Sequence, residues 1–342
     1  MSARASIVPV FVPHLGCPHD CVFCNQHRIS GQTQPATAAT VRDAIKRAAA
    51  LPPSGVKRQL AFYGGSFTAI PIEEQTALLA AAKEGIDRGE LDSIRLSTRP
   101  DAIDATILER LKAYGVETVE LGAQSMDDEV LRRSGRGHTA ADVENAARLI
   151  READLSLVLQ MMTGLPGDTG EKSLDTARRL ISLQPDGVRI YPTVIVRDTT
   201  LYELWKQGKY QEHTVEDAVK LCAKLLPLFE QAEIPVLRLG LNPTEELSGG
   251  AAVGGAYHPA LGELVKSRIL YEKVSGLLTE VPPGSRVTLA VHPKQVSQMI
   301  GQRQENIRRL CADFSLKELK ITPNHPNFGE IVLVSVETLE GI

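Results

Sequence analysis

The sequence predicts an α/β protein: a partial or full (β/α) barrel followed by a small α+β carboxy-terminal module. Three observations carry that prediction. From the amino terminus to about residue 245, short β-branched runs alternate with longer stretches of helical apolar spacing, the rhythm of a parallel sheet wrapped by helices. Polar and glycine-rich groups recur where each strand runs out, which is where such a barrel places its working residues. After about Gly240 the rhythm lapses into a Gly-rich stretch, and a shorter pattern begins beyond Val281-Pro282-Pro283-Gly284. The expected organisation is a barrel over 1–245, a connecting segment over 246–284 and a βααββ module over 285–342.

Taken in order, the apolar runs place strands at 7–12, 59–63, 93–97, 117–121, 156–161, 187–191 and 236–239. Between them, helical spacing covers 40–51, 72–88, 102–113, 139–152, 172–183 and 215–231. Seven strands exceed what a small fold uses. The module then reads strand 286–291, helix 294–300, a tight link at Gly301, helix 305–313, and strands 319–322 and 330–336.

Composition sets limits on function. With 43% hydrophobic residues in 342, the chain is not disordered. Its most apolar segments, such as 155–162, fall far short of the roughly 20 residues a membrane helix needs, and no signal segment opens the chain. A cytoplasmic protein with no membrane association is expected. A net charge of -4 means that any nucleic-acid footprint must be a local patch.

The five cysteines divide unevenly. Cys17, Cys21 and Cys24 fall in one short segment, Cys17-Pro18-His19-Asp20-Cys21-Val22-Phe23-Cys24, whereas Cys222, in an apolar helix, and Cys311 stand alone and read as core. The spacing C-x3-C-x2-C suits three thiolates on three irons of a four-iron, four-sulfur (4Fe-4S) cluster, the fourth iron being left to an exogenous ligand. A zinc site completed by His14, His19 or His27 is the alternative that the residues leave open.

On these residues the sequence resembles the radical S-adenosylmethionine (SAM) enzymes, whose C-x3-C-x-φ-C loop follows the first barrel strand and has an aromatic at φ, here Phe23. Tyr63-Gly64-Gly65-Ser66-Phe67-Thr68 matches the family's Gly-Gly motif, where the lack of a Cβ lets the backbone approach the methionine group. The resemblance implies that the open iron binds SAM, and that an electron from the cluster cleaves it to a 5'-deoxyadenosyl radical. It also implies an electron donor of the flavodoxin or ferredoxin type.

Three further segments, 97–101 (Ser-Thr-Arg-Pro-Asp), 120–125 (Glu-Leu-Gly-Ala-Gln-Ser) and 189–193 (Arg-Ile-Tyr-Pro-Thr), resemble the elongator-like branch, and the similarity runs over about 8–208. It is clearer still to a bacterial group of about this length without the acetyltransferase domain. Elongator proteins carry a longer insertion in the cysteine loop and a carboxy-terminal acetyltransferase domain. This sequence is expected to have neither, so carboxymethylation of wobble uridine does not carry over without a partner protein.

The same resemblance implies that Phe23, Gly64, Gly65, Ser66, Ser97, Thr98, Arg99, Gln124 and Arg189 line the SAM site, Arg99 gripping a carboxylate. A turn salt bridge is the bland alternative for Arg99. Arg189 and Tyr191 alternate on one strand and share a face, so both point into the barrel or both point out.

The carboxy-terminal module resembles the K-homology (KH) RNA-binding fold, with Gly301-Gln302-Arg303-Gln304 at its Gly-x-x-Gly loop. Gln304 stands where the second glycine belongs. Arg303, Arg308 and Arg309 make a basic face that either contacts RNA or is simply solvated. The function expected is radical SAM modification of RNA, tRNA or rRNA. Two alternatives remain: radical SAM chemistry on a small metabolite or protein side chain, and a non-catalytic RNA- or ribosome-binding protein whose cluster is structural or sensing.

Overall fold

The computed structural model describes residues 5–12, 15–17, 21–30, 34–52 and 55–338, with only the backbone of His27. The chain divides into two compact units, residues 1–218 with 224–259 and residues 219–223 with 260–342.

In the first unit a strand β1 (Ser6–Phe11) leads to α1 (Gln26–Ser30) and α2 (Ala38–Ala49). There follow β2 (Arg58–Tyr63), α3 (Ile72–Asp87), β3 (Ser93–Thr98), α4 (Ala105–Ala113), β4 (Val116–Gln124), α5 (Asp128–Arg133), α6 (Ala140–Glu152), β5 (Ser156–Thr163), α7 (Gly170–Ser182) and β6 (Gly187–Pro192). A short strand β7 (Val194–Val196), α8 (Thr200–Lys206), α9 (Val215–Gln231), β8 (Val236–Leu239) and β9 (Ala252–Gly255) complete the series. Strands β1-β2-β3-β4-β5-β6-β8 form one all-parallel sheet in that order. The sheet is open at β1 and β8, so the barrel is partial.

Seven strands and six helices stand where the sequence places them, within a few residues. The caps show why the ends move. Thr37, Thr139 and Thr214 each accept from the backbone N–H three residues on, in reciprocal capping boxes, and Asp104 and Thr169 cap α4 and α7. Each such cap contributes about 1 kcal/mol.

Period-two alternation separates the two faces of the sheet. Leu60, Phe62, Ile94, Leu96, Val119, Leu121, Leu157, Leu159, Val188 and Ile190 are buried on one face. The opposite face is charged. Glu120 on β4 accepts from Arg95 Nη1 of β3 at 2.8 Å and from Arg189 Nε of β6 at 2.8 Å. Tyr63 at the end of β2 donates to Glu120 at 3.3 Å and accepts from Arg189 Nη2 at 3.0 Å. Gln59 Oε1 takes the remaining Arg95 donors. One carboxylate on β4 thus ties in β2, β3 and β6, four strands that are not all neighbours. Burial alone would lower the Arg189 pKa, but Glu120, together with Tyr191 and Tyr63, holds it above its ordinary value.

In the second unit α10 (Leu261–Leu278) precedes β10 (Arg286–Val291), α11 (Val296–Ile300), α12 (Glu305–Asp313), β11 (Glu318–Thr322) and β12 (Ile331–Glu337). The sheet order is β11-β10-β12, parallel on one side and antiparallel on the other. Leu270, Val274 and Leu278 of α10 share a core with Leu289, Val291, Met299 and Leu310. Asn306 closes the α11–α12 link from within, its amide donating to the Met299 and Ser267 carbonyls. Gln304 adopts the left-handed backbone (φ 61°) that a glycine would take there at lower cost.

The expected connecting segment over 246–284 is corrected. Its first part supplies β9, which pairs with β7 in the first unit, and its second part is α10, a core helix of the second. Glycines and a lone proline pair masked an 18-residue helix.

Removing the buried Glu120 leaves two part-buried guanidinium groups without their carboxylate, which costs several kcal/mol where a paired charge is stranded. Glu120→Ala is expected to lower stability by about 3–5 kcal/mol, read as a shift in the urea unfolding midpoint.

Candidate functional site

Because the seven strands are parallel, their carboxy-terminal ends share one edge, and the residues singled out in the sequence gather there. The loop after β1 and the turn after β2 interlock. Ser66 N–H donates to the Leu15 carbonyl at 2.8 Å, and Val12 N–H to the Tyr63 carbonyl at 2.7 Å. A Cβ on Gly65 would lie 2.4 Å from the Val12 and Leu15 carbonyl oxygens, and one on Gly16 2.2 Å from that of Ser66. Both glycines also have positive φ. The Gly64-Gly65 turn is therefore required for packing against the cysteine loop, and the Gly65 N–H is taken by Gln26 Oε1 at 2.5 Å.

Cys17 follows this contact, its Sγ 3.8 Å from Ser66 Oγ. Cys21 and Cys24 lie beyond residues 18–20. Val22 is clamped from both sides: its N–H donates to the Ser134 carbonyl at 3.1 Å and its carbonyl accepts from Leu201 N–H at 2.7 Å. Phe23 packs against the Ile195, Leu201 and Tyr210 cluster. Burial, and then the charges of the other two sulfurs, push the Cys24 thiol up to about 12; burial also raises Cys17. His14 and His19 lie outside the described residues, as does the His27 side chain. Among the described residues no three His, Cys, Asp or Glu side chains are drawn together on one point.

The expected SAM-site residues separate by their partners. Ser97 and Arg189 face the charged side of the sheet, and Ser66 is buried against Cys17. Thr98 is buried in a brace: its Oγ1 lies 2.5 Å from Thr68 Oγ1, which donates to the Ala102 carbonyl. Arg99 is buried and ion-paired. It pairs bidentately with Asp101, both contacts at 2.8 Å, and its Nη2 also donates to the Arg136 carbonyl. Gln124, at φ 64°, is buried, and its Oε1 has no hydrogen-bond partner among the described residues.

Sequence reasoning missed Gln26, Glu120, Arg136 and His138. Arg136 follows α5, and its Nη1 donates to Cys21 Sγ at 3.4 Å while Nη2 donates to the Gly122 carbonyl at 2.7 Å. His138 is buried beside it and touches the Ala123 carbonyl. Burial, then Arg136, lowers His138 to about 4. The only signal in the sequence was the polar cluster Ser134-Gly135-Arg136-Gly137-His138 between two helices.

Two family models match the chain, the radical SAM superfamily over residues 11–180 and the radical SAM carboxy-terminal domain over 185–270. The chain belongs to the radical SAM superfamily, in its elongator-like branch. Proteins of this superfamily bind a 4Fe-4S cluster and SAM. This radical SAM chain is 30% identical over 237 residues to the tRNA uridine(34) acetyltransferase of Dehalococcoides mccartyi, which covers 59% of the chain and 52% of the relative. It is 35% identical over 138 residues to human Elongator complex protein 3, 40% of the chain and 25% of that protein. The chain thus spans about half, or less, of the length of these relatives. Among solved structures, the archaeal Methanocaldococcus infernus Elp3 with an amino-terminal deletion superposes with TM-score 0.61 at 23% identity, over 81% of this chain and 64% of that one. That likeness concerns the fold. Among the described residues no helix is long and apolar enough to cross a membrane.

The residues present fit the superfamily's cofactors. The thiols are soft donors, and burial followed by the neighbouring sulfurs disfavours a free thiolate at Cys24, as burial does at Cys17, a state that bound iron relieves. Gln124 Oε1 is a buried acceptor in want of a donor.

Because His138 titrates near 6.5 when unfolded and near 4 when folded, the unfolded chain binds the extra proton between those values. Its contribution is present above about pH 6.5 and lost as pH falls towards 4. The urea midpoint is expected to fall through that window, and His138→Gln to flatten the fall.

Proposed function

We propose that this chain is a radical SAM enzyme that modifies tRNA. The observation that supports this most is the interlock of the cysteine loop with the Gly-Gly turn on adjacent strand ends, in a chain whose relatives include tRNA uridine(34) acetyltransferases. Cys17, Cys21 and Cys24 would each hold one iron of a 4Fe-4S cluster. When bound, the cluster supplies the electron that cleaves SAM reductively to a 5'-deoxyadenosyl radical, the electron coming from a flavodoxin or ferredoxin type donor.

The chain's own residues orient and enclose. Gln26 and the Leu15 carbonyl hold the Gly65-Ser66 turn in place, and Gln124 Oε1 offers an acceptor to a hydroxyl or amino group of SAM. Tyr63, Arg95, Glu120 and Arg189 make the charged side of the sheet rigid before any substrate arrives. In the second unit Arg303, Arg308 and Arg309 are exposed around the α11–α12 link, and Arg309 also stacks on Tyr271. We assign this basic face to the RNA backbone.

Anaerobic reconstitution with iron, sulfide and a strong reductant is expected to give 5'-deoxyadenosine from SAM. Alanine at Cys17, Cys21 or Cys24 should abolish both this product and the cluster absorbance, whereas Cys222→Ala and Cys311→Ala should retain both. A cell carrying only the Cys24→Ala protein should lack one modified tRNA nucleoside by mass spectrometry. An unchanged nucleoside profile would sink the tRNA assignment while leaving the SAM chemistry standing.

Charge reversal at Arg303 and Arg308 is expected to weaken tRNA binding about uniformly across tRNA sequences, and to reduce the salt dependence by about one phosphate contact per residue. Unchanged affinity and slope would remove this face from the RNA interface.

A further inference from the structure

Arg136 is a buried cation with no carboxylate partner among the described residues, only 8% exposed. A side chain of that kind is rarely buried without an anion to face. The neighbouring Arg99 is neutralised by Asp101, so the contrast between the two is local. The group that Arg136 does face is a sulfur: Nη1 donates to Cys21 Sγ at 3.4 Å.

The residue is held by both its guanidinium and its backbone. Nη2 donates to the Gly122 carbonyl at 2.7 Å, the Arg136 N–H donates to the Leu131 carbonyl at 3.0 Å, and the Arg136 carbonyl accepts from Arg99 Nη2 at 2.7 Å. Asp101 in turn fixes Arg99. A Cβ at Gly122 would stand 2.8 Å from Gln124 Nε2 and 3.2 Å from Arg136 Nη2, so the bare backbone there makes room for both side chains. Nε is buried with no hydrogen-bond partner among the described residues, a state that costs free energy and is tolerated where the cation has a further task.

We infer that Arg136 is a positioning residue for the iron–sulfur ligands, holding the Cys21 sulfur by a charged hydrogen bond and making the bound cluster easier to reduce. The inference rests on the reading of Cys17, Cys21 and Cys24 as ligands. Its physical basis is that one-electron reduction adds negative charge to the cluster and its thiolates. A fixed cation donating to one of those sulfurs in a water-poor site stabilises the reduced form more than the oxidised one. Arg99 and Asp101 act one step further out, by fixing the carbonyl of the residue that makes the contact.

The test compares wild type, R136Q and R136K, reconstituted anaerobically with iron and sulfide and titrated with dithionite under electron paramagnetic resonance, SAM being absent. All three are expected to carry equal iron and sulfide. The R136Q midpoint potential should shift to more negative values than wild type, with R136K between them because its charge remains but its fork is lost. Should R136Q not fold or not retain iron, the comparison of wild type with R136K decides: the charge stays while the fork that reaches the sulfur is lost, and a smaller shift in the same direction is expected. Coincident potentials for wild type and R136Q, or for wild type and R136K where R136Q cannot be used, overturn the inference and leave the cluster reading intact. So does an R136Q protein that loses SAM affinity at unchanged potential, since Arg136 would then serve SAM rather than the sulfur. A wild-type protein that takes up no iron overturns both readings.

Discussion

Ser66 N–H and the Leu15 carbonyl meet across two loops that approach until neither Gly16 nor Gly65 can carry a Cβ. That backbone contact joins the end of β1 to the end of β2 and sets where Cys17 emerges. With a side chain at either glycine the loops would separate, and the cysteine segment would lose its floor. The rest of the site is arranged around this join: Gln26 caps the Gly65 N–H, Ser134 and Leu201 clamp Val22, and Arg136 reaches the Cys21 sulfur from the loop after α5.

A second layer keeps the edge rigid. Glu120 accepts from arginines on β3 and β6 and from Tyr63, whose residue immediately precedes the Gly-Gly turn. Strain or slack in that cluster would be felt at the turn through one peptide. Buried charge of this sort is weak as a source of stability but strong as a constraint on geometry, because its members cannot move apart without being stranded. The charged face and the apolar face follow from one alternation along the strands, so core and site were built by the same periodicity.

The fold was legible to the extent that its signals are local. Strands and helices of the first unit stand within a few residues of their expected bounds because apolar spacing and Thr or Asp caps are written in consecutive residues. Helix α10 was not recognised, since Gly276 and the flanking glycine and proline runs break the pattern that would have marked it. The pair β7 and β9 escaped for another reason: each is too short to show a period, and they are made strands by each other. Gly301 to Gln304 was read as a tight link, and it is one, although Gln304 takes by force the left-handed backbone that a glycine would take freely.

What the sequence determined by itself is the order of elements and the spacing of three soft donors on one loop, since both depend on residues adjacent in the chain. Which arginine serves that loop was decided by tertiary structure alone. Arg99, two residues from Asp101, found its partner locally and closed a turn; Arg136, 115 positions from Cys21, was brought to the sulfur by the packing of α5 and the loop after it. The distinction is physical. A charged side chain takes the nearest opposite charge its backbone allows, and for Arg136 the described structure supplies no carboxylate, only a cysteine that the fold has carried to it.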